Sequence, residues 1–375
     1  MMTVGWKNLI HDKARLSVTL VGIVFALVLI LVQLGLFLGF LETSANVVAR
    51  SGVDLWVTAP EIPHVNGGSP MLENKRYLAL SVPGVERADK LTLFFVVWKR
   101  PSGSMDSVQV VGFPLESKMG APWNIAAGSI DDLRGEDTVM VDQLYAKSLG
   151  VAQIGDTVEI TGRRARVVGF TRDVRSFTTV PYVFTSFKNS QNYARLAENQ
   201  TIYLAVRVAP GFDPATVKRA LKARLSGVDV YTNDELTRKT RNYWVFSTGA
   251  GVSTLMGAIL GLLVGVVVVA QTIYSATVDH LREFGTLKAM GARNSHIYRV
   301  ILTQAFLSAL MGYAVAVSVA LLVAHASVSG QALIRIPPEV AGGAFGLALA
   351  MCAGASMLSI HKATRIDPAM VFRAG

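Results

Sequence analysis

Three consecutive stretches decide the fold of this chain: GAILGLLVGVVVVAQTIYSA (257–276), REFGTLKAMGARNSH (282–296) and VILTQAFLSALMGYAVAVSVALLVAH (300–325). The first and third contain no Asp, Glu, Lys or Arg. Each is long enough to cross a bilayer, because a membrane-spanning helix needs about 20 apolar residues. The second stretch is short and basic, so the pattern predicts a loop held between two membrane spans.

The composition of the whole chain indicates the same class of protein. Hydrophobic residues make up 51% of the 375 positions and charged residues 17%, which is too apolar for one soluble domain. We predict spans at 16–41, 246–274, 300–324 and 341–360, as helices, because a bilayer core leaves free backbone groups unsatisfied. These spans contain no Asp or Glu, so an ion-coupled carrier is not expected.

The basic residues orient the predicted spans. The formal net charge is +10, and much of this charge lies beside the spans, which the positive-inside rule explains without a nucleic-acid partner. We expect both termini in the cytoplasm and the first span to be an uncleaved anchor. The predicted segments are a cytoplasmic N-terminal segment 1–15, span one 16–41, an extracytoplasmic domain 42–245, span two 246–274, a cytoplasmic loop 275–299, span three 300–324, a short outer loop 325–340, span four 341–360 and a cytoplasmic tail 361–375.

The predicted fold class is therefore an α-helical membrane protein with four transmembrane helices and a large α+β extracytoplasmic domain inserted between helices 1 and 2. Strand patterns occur in DSVQVVGF (106–113), DTVMVD (137–142), TIYLAVRV (201–208) and VDVYT (228–232), and two more surround the turn at Gly162. Asp213 and Pro214 are typical of a helix start. A further helix is expected to begin near Thr232 or Asn233 and to run straight into span two.

The sequence contains no signature of catalysis or metal binding. It has no G-x-x-x-x-G-K-[ST] phosphate-binding loop and no G-x-S-x-G nucleophile motif. Its six histidines show no paired metal spacing, and the single cysteine, Cys352, lies in a predicted span. No catalytic residue, metal site or cofactor is predicted in this chain.

The basic stretch between spans two and three has the periodicity of a short amphipathic helix. Phe284, Leu287 and Met290 share one face, and Gly291 is placed to cap the helix end. Two interpretations follow from the residues. The segment is either a surface turn that links two spans, which the composition favours, or an apolar knob that docks a cytoplasmic protein.

A resemblance favours the docking knob. REFGTLKAMGA (282–292) resembles the signature of FtsX/MacB-type (type VII) ABC transporter permeases in this loop, and HKATRIDPAMVFRAG (361–375) is similar to that family's C-terminal motif. The resemblance implies a coupling helix that binds a separate ATPase. Its implied coupling residues are Glu283, Phe284, Gly285, Leu287, Lys288, Ala289, Met290 and Gly291.

The N-terminal part is most similar to the DevC-like branch of the family, through GIVFALVLILVQLGLFLGFLETS (22–44), DLWVTAP (54–60) and SVPGVERAD (81–89). The resemblance implies an inner-membrane permease subunit, a homodimer, whose partners are an ATPase of the LolD/MacB type, a membrane-fusion adaptor and an outer-membrane channel. ATP and Mg would be bound by the ATPase. Because the sequence starts directly at span one, we expect that ATPase on a separate polypeptide. The implied mechanism is mechanotransmission, in which the periplasmic domain handles a hydrophobic or lipid-like cargo.

Small residues recur at four-residue steps in the spans and predict close helix contacts in lipid. Span two carries Gly257, Gly261 and Gly265, for which packing within the chain and a dimer contact remain alternatives. Span four carries the series Gly342, Gly346, Ala350 and Gly354, for which packing within the chain is expected.

Two other functions remain open within the resemblance. One is an FtsX-like regulator that activates a cell-wall hydrolase without transport, and the other is a lipoprotein-extracting permease. A transmembrane sensor belongs to a different class and is disfavoured, because no kinase, methyl-accepting or cyclase domain follows the spans.

Overall fold

The fold is described from a computed structural model that covers residues 13–177, 180–279, 294–330 and 332–364. The chain divides into two compact units. The first, the helical unit, contains the long apolar helices, and the second, the inserted domain, comprises Phe40–Ala250 together with residues 330–332. Each unit is described by itself.

Ten α-helices occur in the described residues. They are α1 (Lys13–Thr43), α2 (Asn46–Ala49), α3 (Lys75–Leu80), α4 (Gln143–Leu149), α5 (Phe187–Tyr193), α6 (Pro214–Arg224), α7 (Asn233–Asn242), α8 (Ala250–Asp279), α9 (Asn294–Ser327) and α10 (Pro338–Thr364). Two short 3₁₀ helices lie at Val65–Gly67 and Ile130–Arg134, and a π-helical turn covers Tyr243–Ser247.

Four of these helices have the length and composition to cross a membrane. The candidate spans are Leu16–Thr43, Ala250–Thr272, Tyr298–Ser327 and Pro338–Met357. The helices of the other three spans pack around α1, whose Ala26 and Leu27 are fully buried. The predicted fold class, four transmembrane helices with an α+β domain between the first two, is confirmed.

The inserted domain contains twelve strands among the described residues. They are β1 (Leu55–Thr58), β2 (Met71–Leu72), β3 (Val85–Lys99), β4 (Met105–Phe113), β5 (Ile125–Ala127), β6 (Thr138–Asp142), β7 (Thr157–Ile160), β8 (Arg163–Thr171), β9 (Tyr182–Ser186), β10 (Gln200–Thr201), β11 (Tyr203–Val208) and β12 (Asp229–Thr232). The strands predicted from the sequence are present, including the hairpin of β7 and β8 around Gly162.

One long strand, β3, belongs to two substructures. Its first half pairs with β11, and the order there is β12–β1–β11–β3. Its second half pairs with both β4 and β7, and these pairings close a ring in the order β3–β4–β9–β6–β8–β7. The ring encloses a core that includes Trp98, Val110 and Val167, so this half of the domain is a small closed barrel.

Helix starts in the inserted domain follow from local side-chain bonds. Asp213 caps α6, whose first residue is Pro214. Thr232 caps α7, where its hydroxyl accepts from Glu235 N and the Glu235 carboxylate accepts from Thr232 N. Such a capping box satisfies two amides that the helix itself leaves free. Both predicted helix starts are confirmed.

The prediction that α7 runs straight into the next span is wrong. Helix α7 passes into the π-helical turn, and the helical structure is interrupted at Thr248 and Gly249 before α8 begins. Gly249 has φ +74°, a left-handed conformation that glycine adopts without steric cost and that ends a helix. The Thr248 hydroxyl donates to Trp244 O at 2.7 Å, which stabilises the turn.

Candidate functional site

The predicted coupling segment lies outside the described residues. This applies to Glu283, Phe284, Gly285, Leu287, Lys288, Ala289, Met290 and Gly291. Helix α8 is described to Asp279 and α9 from Asn294, and both flanks are therefore helical. The role of the segment stays a prediction.

The glycine series of α8 lies against α1 within the same chain. Gly261 and Gly265 are buried and Gly257 is half-buried. A Cβ atom added at Gly265 would come within 3.0 Å of Ala26 Cβ, and one added at Gly261 within 3.2 Å of Leu29 Cγ. These distances are shorter than ordinary carbon contacts. The glycines therefore allow close approach of α8 to α1.

The glycine series of α10 has different surroundings from those expected. Gly342, Gly346, Ala350 and Gly354 are exposed, and no described atom lies within 4 Å of a Cβ added at the three glycines. The expectation that this series packs within the chain is wrong. The opposite face of α10, with Ala348, Cys352 and Ala355, is the one buried in the helical unit.

A third close approach involves the end of α1 and the connection before α10. A Cβ at Gly39 would overlap the carbonyl oxygen of Leu333, and one at Gly35 would lie 2.7 Å from Ile334 Cγ2. Arg335 N donates to Gly35 O at 2.9 Å. The connection is thus held directly on the α1 backbone.

Aromatic rings join the two ends of the inserted domain, an arrangement that we call the aromatic junction. Phe40, near the end of α1, contacts Phe177 edge-on at a centroid distance of 5.4 Å, and Phe177 lies 4.4 Å from Trp244. The His64 ring contacts Trp244 at 4.9 Å and Tyr243 at 4.3 Å. The segment that enters the domain and the segment that leaves it are therefore held in one cluster.

The loop that carries His64 is fixed by hydrogen bonds. His64 Nδ1 accepts from Asn66 N at 3.1 Å, Val65 N donates to Thr240 Oγ1 at 3.2 Å, and the Tyr203 hydroxyl donates to Val65 O. Burial lowers the pKa of His64. The neutral ring is therefore the favoured form in the junction.

Sequence reasoning did not find the junction. Tyr243 and Trp244 directly precede span two, a position typical of aromatic residues at a membrane interface, and this position does not indicate a contact with His64. The structure packs both rings against His64. The four aromatic side chains and His64 come from parts of the chain about 200 residues apart, between Phe40 and Trp244, so no local spacing in the sequence indicates their contact.

The described residues contain no group of three or more His, Cys, Asp and Glu side chains that could hold a metal ion. Asp142 is a buried carboxylate, and burial raises its pKa. Its oxygens accept from Leu144 N, Val174 N and Thr171 Oγ1. Because all three donors belong to the fold, this carboxylate has a structural role.

Two family models match the chain. A MacB-like periplasmic core domain matches residues 16–224, and an FtsX-like permease C-terminal domain matches residues 255–368. The first match alone covers more than half of the chain.

Several known proteins are similar to this chain, some of them along its whole length. An uncharacterised ABC transporter permease of Mycobacterium tuberculosis is 25% identical over 384 residues, and one of Mycobacterium bovis is 24% identical over 389; each alignment covers 99% of both chains. The macrolide export ATP-binding/permease protein MacB of Shewanella oneidensis is 27% identical over 261 residues, which are 64% of this chain and 38% of that protein. The crystal structure of the periplasmic region of MacB from Actinobacillus actinomycetemcomitans matches with a TM-score of 0.39 and 11% identity, covering 51% of this chain and 95% of that one.

Proposed function

Because the chain belongs to the family of ABC transporter permeases with a MacB-like periplasmic core domain and an FtsX-like C-terminal domain, we propose that it is the membrane subunit of an ATP-driven exporter that works by mechanotransmission. An ABC permease implies an ATPase partner. In this proposal the ATPase is a separate LolD/MacB-type subunit that binds ATP and Mg, and the permease is a homodimer in the inner membrane with cytoplasmic termini. The cargo is hydrophobic or lipid-like and passes to a membrane-fusion adaptor and an outer-membrane channel.

The observation that carries the proposal is the aromatic junction. Phe40 lies at the end of α1, and Trp244 lies shortly before α8. Their link through Phe177 holds both connections of the inserted domain together. A displacement of one connection is thereby passed to the other, which suits a domain that responds to movement of its membrane helices.

A regular, capped helix lies on one side of the junction and irregular helical structure on the other. The capping box at Thr232 fixes the start of α7, whereas the π-helical turn and Gly249 interrupt regular helix before α8. π-Turns inside helices occur frequently at functional sites. We propose that this joint changes conformation when the ATPase closes.

A matched pair of variants tests the junction. Trp244→Ala removes the ring that contacts both Phe177 and His64, so we expect ATPase binding to persist while transport per ATP hydrolysed falls. Phe246→Ala is the control, because Phe246 is a neighbouring aromatic residue that is 70% exposed. The measurement is transport and ATP hydrolysis by the reconstituted complex. Equal coupling in both variants would remove the junction from the mechanism.

The predicted coupling segment is tested by docking. Leu287→Glu would place a charge on the proposed apolar knob, and burying an unpaired charge costs several kcal/mol. We expect the permease to insert normally and to lose the ATPase in a pull-down. Thr286→Glu is the control, because Thr286 lies in the same segment but is not one of the predicted coupling residues. Normal ATPase binding by Leu287→Glu would contradict the proposal.

The separate ATPase has its own test. The purified chain should not hydrolyse ATP, and adding the ATPase subunit should restore hydrolysis. Robust hydrolysis by the verified pure chain would contradict this part of the proposal.

Export is placed ahead of a regulatory role because the similar protein from Shewanella oneidensis is named for macrolide export.

A further inference from the structure

The outer side of strand β3 carries an apolar row that begins in the domain core and continues into solvent. Along this row Leu91 and Leu93 are buried, with exposed fractions of 0% and 1%, but Phe95 and Val97 are 43% and 49% exposed. The alternate residues Val96 and Trp98 belong to the barrel core. Apolar side chains that continue beyond the core and stay exposed to solvent are a common mark of an interaction surface.

The neighbouring strand extends this exposed area. Val97 faces Ser107 on β4, and Lys99 faces Met105. Met105 is therefore diagonal to Val97 on the same side of the sheet, and it is 71% exposed. Phe95, Val97 and Met105 form what we call the outer patch.

The backbone around Val97 is already paired on both sides. Val97 is in register with β4, and its carbonyl accepts from Thr161 N at 3.0 Å. A partner therefore cannot bind at Val97 by adding a strand to a free edge. It has to contact the outer patch through side chains.

Cations border the patch on one side. Arg164 faces Glu159 on β7, Glu159 in turn faces Lys99 on β3, and Arg166 faces Thr157. Glu159 forms an ion pair with Lys99 at 3.0 Å. Across the described part of the chain, no ion pair includes Arg164 or Arg166, and both are exposed.

A groove lies beside these cations. It has a volume of about 510 Å³ and runs between the β3–β4 hairpin and the β7–β8 hairpin. Its lining includes Lys99, Arg100 and Arg164. Arg100 is paired with Asp106, so the two unpaired arginines of β8 give this border a net positive charge.

We propose that the outer patch and the arginine border form a docking surface for a partner protein whose contact face carries apolar side chains bordered by carboxylates. The apolar side chains cover Phe95, Val97 and Met105, and the carboxylates approach Arg164 and Arg166. Complementary charge of this kind fixes orientation and increases the rate of association. The inference goes beyond the proposed function and does not depend on it.

The same surface of a second copy is a poor occupant. In a two-fold contact each patch meets its own image, and this image offers the arginines no free carboxylate, because Glu159 is paired with Lys99 and Asp106 with Arg100. A lipid surface fits less well than a protein, because Phe95 and Val97 stand within a sheet face and the cations border the patch on one side.

Photocrosslinking of the full-length chain in cells tests the proposal. The photocrosslinker p-benzoylphenylalanine replaces Val97 or Met105 in turn, and Phe212 as a control, because Phe212 is 50% exposed in the same domain but lies outside the patch. We expect one protein adduct from the two patch positions. Its crosslinked peptide should contain apolar residues next to Asp or Glu.

Charge reversal makes the test specific. Arg164→Glu combined with Arg166→Glu should reduce the adduct by about tenfold or more, since a lost charge pair and the new repulsion cost more than about 1.4 kcal/mol. The control combines Arg164→Lys with Arg166→Lys and should retain the adduct within about twofold. In isolated membranes the adduct should also weaken as salt is raised.

Four results would overturn the inference. They are an adduct no stronger than that from position 212, an adduct with lipid, an adduct with a second copy of this chain, and a protein adduct that charge reversal leaves unchanged. None of these readouts depends on transport or ATP hydrolysis, so failure here is distinguishable from failure of the proposed function.

Discussion

Helices α8 and α10 both carry small residues at every fourth position, yet their two series lie in different surroundings. In α8, Gly261 and Gly265 are buried against α1. In α10, Gly346 and Gly354 are exposed and have no described atom near the position of a side chain. The same sequence pattern therefore marks a tight contact in one helix and an open face in the other.

The difference shows that small residues at every fourth position are not sufficient for a contact between helices. Small residues permit close approach, but contact also requires a partner of matching shape. The face of α8 that carries the glycines is flanked by large exposed side chains such as Leu260 and Leu263. In α10 the buried face also carries small residues, including Ala348 and Ala355, so glycine spacing alone does not identify the packed side.

The largest effect is expected at the third glycine contact, where the neighbour is backbone. Gly39→Ala would bring a Cβ onto the carbonyl oxygen of Leu333, so the connection before α10 would have to move. We expect a loss of about 3 kcal/mol or more in the free energy of unfolding, at the upper end for overpacking. Detergent unfolding monitored by circular dichroism measures it. A loss below about 1 kcal/mol would show that the connection adapts freely.

The comparison itself is tested by one matched pair. Gly261→Leu should lower the free energy of unfolding by about 1–3 kcal/mol, because the side chain would displace Leu29 on α1. Gly346→Leu places the same side chain on an open face and should change stability by less than about 0.5 kcal/mol. Equal losses of unfolding free energy in the two variants would contradict the difference between the two helix faces. Loss of dimer with unchanged stability in Gly346→Leu would show that another chain covers α10.

A smaller effect separates glycines needed for space from glycines needed for backbone conformation. Gly249 has open space around its Cβ position, but its φ is +74°. Gly249→Ala should therefore cost about 1–2 kcal/mol through backbone strain alone. Gly249→Asn is the control, because Asn tolerates this conformation better than Ala. Equal unfolding free energies for the two variants would contradict a conformational role.

The smallest effect is expected for a methyl group on the open face. Gly346→Ala meets no neighbour and restricts the unfolded chain, so the free energy of unfolding should rise by about 0–1 kcal/mol. Thermal unfolding in the same detergent measures it, with Gly265→Ala as the packed counterpart. A clear loss in Gly346→Ala would indicate a contact that the single chain does not contain.

The elements that the sequence predicted well are those determined locally. Asp213 with Pro214 and Thr232 with Glu235 start their helices through bonds that span three residues or fewer. Four apolar runs without Asp or Glu indicated the four long helices of the candidate membrane spans. In each case the physical cause lies within a few residues of the feature it determines.

The features that were missed depend on distant residues. The barrel closes because Trp98 pairs with Ile160, and the aromatic junction requires Phe40 to approach Phe177. The open face of α10 depends on which helices surround it. No period or cap within one segment determines such contacts, so a single sequence leaves them open.

The position of β1 has a consequence for synthesis of the protein. Leu55 pairs with Val206 on one side and Thr232 on the other, separations of 151 residues (206 − 55) and 177 residues (232 − 55). At translation rates of about 5–20 residues per second, the first of these partners follows β1 by about 8–30 seconds. Until that first partner is made, Trp56 and Val57, which are fully buried in the finished domain, have no native partner strand. The nascent chain therefore exposes an aggregation-prone strand while the domain is completed, and helpers that shield unpaired strands would be needed at this stage.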